Sequence, residues 1–273
     1  MIYLYAYTNH KNNLEELRRT LALYNALKEQ NLECEILVNE YRAQLLLKDW
    51  GLPLATTIET IKDIDAVAKV DDIVVIDSPE IIEGKIKNYP NKFKAVIYLN
   101  SSFKDVEFNG AKVINLFLDK NYIFSNLEQT NKSKNSIFIY GDSDYEKTII
   151  KNSEIFKNKD LDLYWGIYFF VKYEDSLKDI FNEIIESEDY YECIKDYQRI
   201  VTSSLQIALE AKANKCHVEF LELKSLSASN KEILAALNIG IINKINKDYN
   251  ITLEKDIIYN INNKLIDIIN SYM

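Results

Sequence analysis

The sequence predicts an α/β fold in two successive halves, each a parallel sheet covered by helices on both faces. Three observations predict it. Short apolar runs alternate with helix-period segments along almost all of the 273 residues. The strand centres are apolar at consecutive positions, as expected where both faces are buried. A single polar stretch without periodicity, SNLEQTNKSKNS at 125–136, divides the pattern in two.

In the first half, IYLYAY (2–7) reads as a buried strand. Residues 14–30 read as a helix with Leu14, Leu17, Leu21, Tyr24 and Leu27 on one face, and Asn12 or Asn13 as its cap. ECEILV (33–38) is a strand and YRAQLLLKDW (41–50) a helix, with Gly51 at the favoured position just past its end. TIETIKDIDAVAKV (57–70) is a helix and DIVVID (72–77) a strand. Pro79 permits a helix from about residue 80. FKAVIYL (93–99) and AKVINLF (111–117) are the last strands before the break.

The second half repeats the alternation. SIFIYGDSD (136–144) is a strand entering a turn, and YEKTIIKNSEIF (145–156) a helix. LDLYWGIYFF (161–170) is a strand interrupted by Gly166. YEDSLKDIFNEI (173–184) and EDYYECIKDY (188–197) are helices. RIVTS (199–203), SLQIALEAKAN (204–214) and CHVEFL (216–221) are strand, helix and strand. SNKEILAALNIG (229–240) is a helix between Ser229 as cap and Gly240, and residues 253–273 form a last amphipathic helix. The expected organisation is an N-terminal domain at 1–128, a C-terminal domain at 129–250 and a helix at 251–273 that packs back on the body.

Composition narrows the function. A formal net charge of −9 without a basic run argues against nucleic acid as a partner. No apolar run approaches the roughly 20 residues that cross a bilayer, so no membrane insertion is expected. The first residues carry no basic region or small-residue cleavage site, and a cytoplasmic location is expected. Cys34, Cys193 and Cys216 are widely spaced and form no C-x-x-C. Two histidines cannot furnish a His-rich site, and adjacent Cys216 and His217 diverge on a strand, so no metal and no cofactor are expected. The six glycines are all separate, which excludes a P-loop and a G-x-G-x-x-G turn. Those motifs need glycine so that backbone N–H groups can approach a phosphate.

Four segments together resemble a known group. LRRTLALYNAL, DDIVVIDSPE, FIYGDSDYEK and RIVTSSLQIALEAKANKCHVEFL are similar to segments of the GT-B nucleotide-sugar enzymes, in particular the UDP-sugar hydrolase of pseudaminic acid biosynthesis. The resemblance covers nearly the whole chain. It implies a GT-B-like α/β fold, two Rossmann-like domains facing a central cleft. It places Arg19, Leu21 and Leu23 on the family's first helix and Asp77 on its strand-end aspartate. It also places Gly141, Ser203, Ser204 and Gln206 where that family meets its nucleotide.

The departures concern chemistry. Glu15 and Glu16 stand where the family has Gly-His, and that histidine is its expected catalytic group. YGDSD offers only Gly141 where the family has two glycines. Its nucleotide-binding glutamate falls on Gln206 or Ile207, and NSS (100–102) replaces a pair of aspartates. Two acids in the first turn of a helix use its dipole internally and repel a diphosphate.

Each candidate has a plain structural reading beside the functional one. Glu15 and Glu16 either complement the helix dipole or act as carboxylates in catalysis. His10 is a loop residue or a displaced base. Asp77 caps the helix after Pro79 or serves as base. Ser203 and Ser204 cap the 204–214 helix or hold a phosphate. Several departures in one expected cleft favour a non-catalytic relative that acts through a protein partner, as an adaptor or chaperone. The resemblance suggests a link to flagellar assembly or glycosylation. The alternative is an active nucleotide-sugar hydrolase or glycosyltransferase that takes a UDP-sugar, with Glu16, Asp77 or His10 in catalysis and Gly141, Ser203, Ser204 and Gln206 at the nucleotide.

Overall fold

The computed structural model describes residues 1–11, 13–52, 55–99, 110, 112–114, 132–169, 171–187, 189–247 and 262–273. The chain forms two compact units. One comprises Met1–Asn9, Leu14–Phe124 and Asn260–Met273, the other His10–Asn13 and Ser125–Tyr259.

In the first unit, β1 (Ile2–Ala6) is followed by α1 (Glu15–Glu29), β2 (Cys34–Val38), α2 (Tyr41–Asp49) and β3 (Thr56–Thr57). Then come α3 (Ile64–Val67), β4 (Ile73–Asp77), α4 (Tyr89–Lys92), β5 (Ala95–Leu99) and β6 (Lys112–Ile114). All strand pairs are parallel, in the order β3-β2-β1-β4-β5-β6. β1, β4 and β5 are buried at every position, which accounts for their unbroken apolar sequences. One face buries Tyr3, Tyr5, Val74, Ile76, Val96 and Tyr98 in a common cluster with Tyr89 and Phe93. Helix α1 buries Leu17, Leu23 and Leu27, each worth about 1.5–3 kcal/mol of transfer free energy.

The second unit runs β7 (Lys134–Ile139), α5 (Thr148–Lys151), α6 (Ser153–Phe156), β8 (Asp162–Trp165), α7 (Glu174–Leu177) and β9 (Ile184–Glu186). It continues with α8 (Tyr190–Asp196), β10 (Tyr197–Thr202), α9 (Leu205–Ala213), β11 (His217–Leu221), α10 (Ala228–Ala236) and β12 (Gly240–Ile242). Its parallel order is β12-β11-β10-β7-β8-β9. Counted within each unit, both sheets have the Rossmann order 3-2-1-4-5-6. A last helix, α11 (Asn262–Asn270), belongs to the first unit, packs on α1 and buries Leu265, Ile266 and Ile269.

Several elements differ from the sequence expectation. The helix expected over 57–70 shrinks to a 3₁₀ turn at Ile61–Asp63 and α3, because Thr57 lies in β3 and a capping box starts the helix late. Thr60 Oγ1 accepts from Lys62 N at 3.1 Å, and Thr60 N donates to Asp63 Oδ2 at 3.0 Å. The helix expected from residue 80 begins at Gly84. Glu80 is held in a turn instead, accepting from the Tyr5 and Ser78 hydroxyls at 2.6 and 2.9 Å. The 173–184 helix ends early, and Ile184 opens β9 beside β8. Ser227, not Ser229, caps α10, and Gly240 opens β12. The expected boundary at 125–136, and the start of the last expected helix, lie mostly outside the described residues.

Candidate functional site

In an open parallel sheet, ligands settle where neighbouring strands send their connections in opposite directions. In the first unit that point lies between β1 and β4. Asp77 ends β4 opposite Ala6 of β1, and its carbonyl accepts from Tyr7 N at 3.0 Å. Its carboxylate does not cap a following helix. It takes both forks of Arg19 from the second turn of α1, Nε to Oδ2 at 2.7 Å and Nη2 to Oδ1 at 3.0 Å. Both side chains are buried.

The first-turn acids face the same guanidinium. Glu16 Oε1 lies 3.4 Å from Arg19 Nη2, and Glu15 Oε2 lies 3.8 Å from Nη1. Arg19 thus meets three carboxyl groups, the i, i+3 and i, i+4 spacings of α1 bringing two of them and β4 the third. Burial pushes the Glu16 carboxyl up to about 7 against the pull of Arg19, with Asp77 and Glu15 adding to the rise. Burial also raises Asp77, again opposed by Arg19. The cluster therefore holds a group that exchanges a proton near neutrality, although this corner has no histidine. Nothing in α1's local sequence marks Arg19 as its centre, because its partner Asp77 lies 58 residues away.

Neither asparagine before α1 is seen to cap it. Leu14 is the cap residue, without a side-chain bond, and Asn12 lies outside the described residues. Asn13 belongs instead to the second unit, at the switch point between β7 and β10. Its Oδ1 accepts from Asp142 N at 3.0 Å and Ser143 N at 3.4 Å. Gly141 has φ +137°, and a Cβ there would overlap the Asn13 amide. Gly166 ends β8 against the same turn, where its own Cβ would lie 2.5 Å from the carbonyl oxygens of Gly141 and Asp142. That close approach explains why the expected 161–170 strand stops at Trp165.

Asp144, buried, completes the turn. Its carboxylate accepts from Thr148 N at 2.6 Å, Ile149 N at 2.9 Å and the Tyr173 hydroxyl at 2.6 Å. The chain's own carboxylate thus occupies the donors that open α5. In the order of the residues Asp144 reads only as negative charge beside the Gly141 turn. It is equally an internal ligand, visible only once Thr148 and Ile149 stand at a helix start.

After β10, Ser204 Oγ accepts from Ile207 N at 3.2 Å and caps α9, one of the two readings the sequence left open. Ser203 Oγ donates to Leu221 O at 2.7 Å. Gln206 is buried and donates to Glu210 Oε1 at 2.7 Å. Glu210, fully buried and not singled out from sequence, also accepts from the hydroxyls of Tyr190 at 2.6 Å and Tyr191 at 3.0 Å. His10 is exposed and stands edge-on to Tyr145. Among the described residues, no group of three His, Cys, Asp or Glu could hold a metal, and no helix is long and apolar enough to cross a membrane.

No family model matches the sequence, and no curated protein matches it. Solved structures do. The UDP-GlcNAc 2-epimerase of Methanocaldococcus jannaschii, in complex with UDP-GlcNAc and UDP, aligns over 100% of this chain and 99% of its own, with TM-score 0.58 and 12% identity. S. aureus MnaA, solved with UDP, aligns over 98% and 88%, with TM-score 0.52 and 13% identity. CalG4, the calicheamicin glycosyltransferase, aligns over 90% and 87%, with TM-score 0.52 and 11% identity. The fold is GT-B-like. At such identities the likeness establishes the fold alone.

Proposed function

We propose that this chain is a non-catalytic relative of the UDP-sugar enzymes, a cytoplasmic GT-B-like scaffold that works through protein–protein contacts as an adaptor or chaperone. One observation carries the reading: the N–H groups of Asp142 and Ser143, beside Gly141, are already taken by Asn13. Asp144 on the α5 donors and Gln206 on Glu210 support it, since each spends a candidate ligand group on the chain itself. Exposed apolar side chains such as Tyr41 at 65% and Ile81 at 76% offer surface for a partner. The resemblance of the sequence to the pseudaminic acid hydrolase directs the search for that partner to flagellar assembly and glycosylation. Titration calorimetry with UDP and UDP-GlcNAc should give no binding heat. Micromolar affinity that vanishes in Ser204→Ala or Gln206→Ala would overturn the reading.

One observation favours a second reading, an active UDP-sugar hydrolase or glycosyltransferase. Glu16, with its carboxyl near 7 beside Asp77 and Arg19, has the proton affinity of a general acid or base at neutral pH. In this reading Asp77 positions or assists it, His10 is the third candidate, and Gly141, Ser203, Ser204 and Gln206 meet the nucleotide. UDP release from a UDP-sugar, abolished by Glu16→Gln, would establish it.

A further inference from the structure

Helix α2 is anchored on one side and bare on the other. Ala43 and Leu47 are fully buried, and Gln44 ties the helix to the chain entering β3 by donating Nε2 to Ala55 O at 2.6 Å. The opposite side faces solvent. Tyr41 is 65% and Leu45 40% accessible, and Arg42, Lys48 and Asp49 around them are exposed. Among the described residues none of these three charges makes an ion pair. With 3.6 residues per turn, Leu45 lies at the centre of this face. Tyr41 and Lys48 flank it on one side, Arg42 and Asp49 on the other. Along the axis, Tyr41 and Arg42 stand about a turn before Leu45, and Lys48 and Asp49 about a turn after it.

This arrangement complements itself. A two-fold axis passing beside Leu45, perpendicular to the helix, reverses the helix direction and keeps each flank on its own side. It sets Leu45 against Leu45 of a second copy. On one flank Arg42 meets Asp49 of the second copy, and on the other Tyr41 meets its Lys48, each pairing occurring twice. Opposite charges, an aromatic ring facing an ammonium group and a central apolar pair are the parts of a specific contact. The face carries one acid and two bases, so the chain's net charge of −9 resides elsewhere and does not repel a second copy here.

We propose that the exposed face of α2 is a self-association surface, joining two copies of this chain through antiparallel α2 helices centred on Leu45. Two nine-residue helices fall short of the roughly 1,200–2,000 Å² buried by stable interfaces, so the dimer is weak and forms with rising concentration. The inference goes beyond the functional readings above and holds whether or not the chain binds a UDP-sugar.

Sedimentation velocity of the full chain over about 1–300 µM tests it. The parent should pass from monomer towards dimer within that range. Arg42→Asp sets two acids against each other at both flank contacts, and Asp49→Arg sets two bases. Each variant alone should associate about tenfold more weakly than the parent, or less. Mixed in equal amounts, the two variants bring opposite charges together at both contacts, and the mixture should dimerise again with about the parent's affinity. That rescue also shows that both substitutions leave the fold intact. A parent that stays monomeric, single variants that associate as the parent does, or a mixture that associates no better than its components would each overturn the proposal. A monomeric parent with a different protein seated on α2 counts against it in the same way.

Discussion

Arg19 donates to both carboxylate oxygens of Asp77, at 2.7 and 3.0 Å, joining the first helix to the end of β4 at the point where the first sheet reverses its connections. Both groups are removed from water, so the Asp77 carboxylate depends on Arg19 for compensation. Asp77→Ala leaves the guanidinium with Glu15 and Glu16 as its remaining carboxylates in the cluster, and should cost about 3–5 kcal/mol in urea unfolding. Asp77→Ala combined with Arg19→Met should cost less than Asp77→Ala alone. A double variant as unstable as the sum of its parts would show that the pair is not coupled.

Glu16 makes stability fall as pH rises. Its carboxyl sits near 7 in the folded protein and near 4.5 when unfolded, so the folded state binds more protons between those values. The favourable contribution is complete below about pH 4.5 and lost by about pH 7. Glu16→Gln removes that dependence. Its stability relative to the parent should therefore rise across the window, by an amount on the order of 2 kcal/mol at pH 8. The side chain retains 26% exposure, which trims the effect. Chemical unfolding at pH 5, 6, 7 and 8 checks it, and a constant difference between the two proteins would refute it.

Gly141→Ala is predicted to destabilise in two separable ways. A φ of +137° strains any L side chain, and the new Cβ meets the Asn13 amide. The variant should lose about 1–3 kcal/mol or more. Asn13→Ala on that background relieves the overlap and leaves the strain, so a double-mutant cycle should show a coupling of about 0.5 kcal/mol or more. Strict additivity would mean that the two side chains do not compete for space.

Glu210 accepts from Tyr190, Tyr191 and Gln206. Glu210→Gln replaces one acceptor oxygen by an NH₂ facing donors, and should cost about 1–3 kcal/mol. Gln206→Ala should cost about 1 kcal/mol through the same network. If Gln206 met a nucleotide instead, its loss would change UDP affinity and leave unfolding unaltered.

The strands were legible from their residues because burial on both faces leaves a local mark. DIVVID and FKAVIYL admit little else, and β4 and β5 lie within them. The helix 14–30 and the capping of 204–214 were legible for a similar reason, since an apolar face and a hydroxyl before a helix are one-dimensional patterns. Short edge strands such as β3 and β9 were not, because two or three residues carry too little periodicity to compete with a neighbouring helix pattern. The destinations of polar side chains were beyond reach for a different reason. Asn13 stands one residue before Leu14, the cap residue of α1, yet bonds 129 residues away, and Arg19 finds its carboxylate 58 residues on. Residue types and spacing thus determined the longer strands and helices and which polar groups arrive at the sheet edges. Only the tertiary structure decided which donor each acceptor meets, because a hydrogen bond depends on distance and direction in space, and neither is written in the order of the chain.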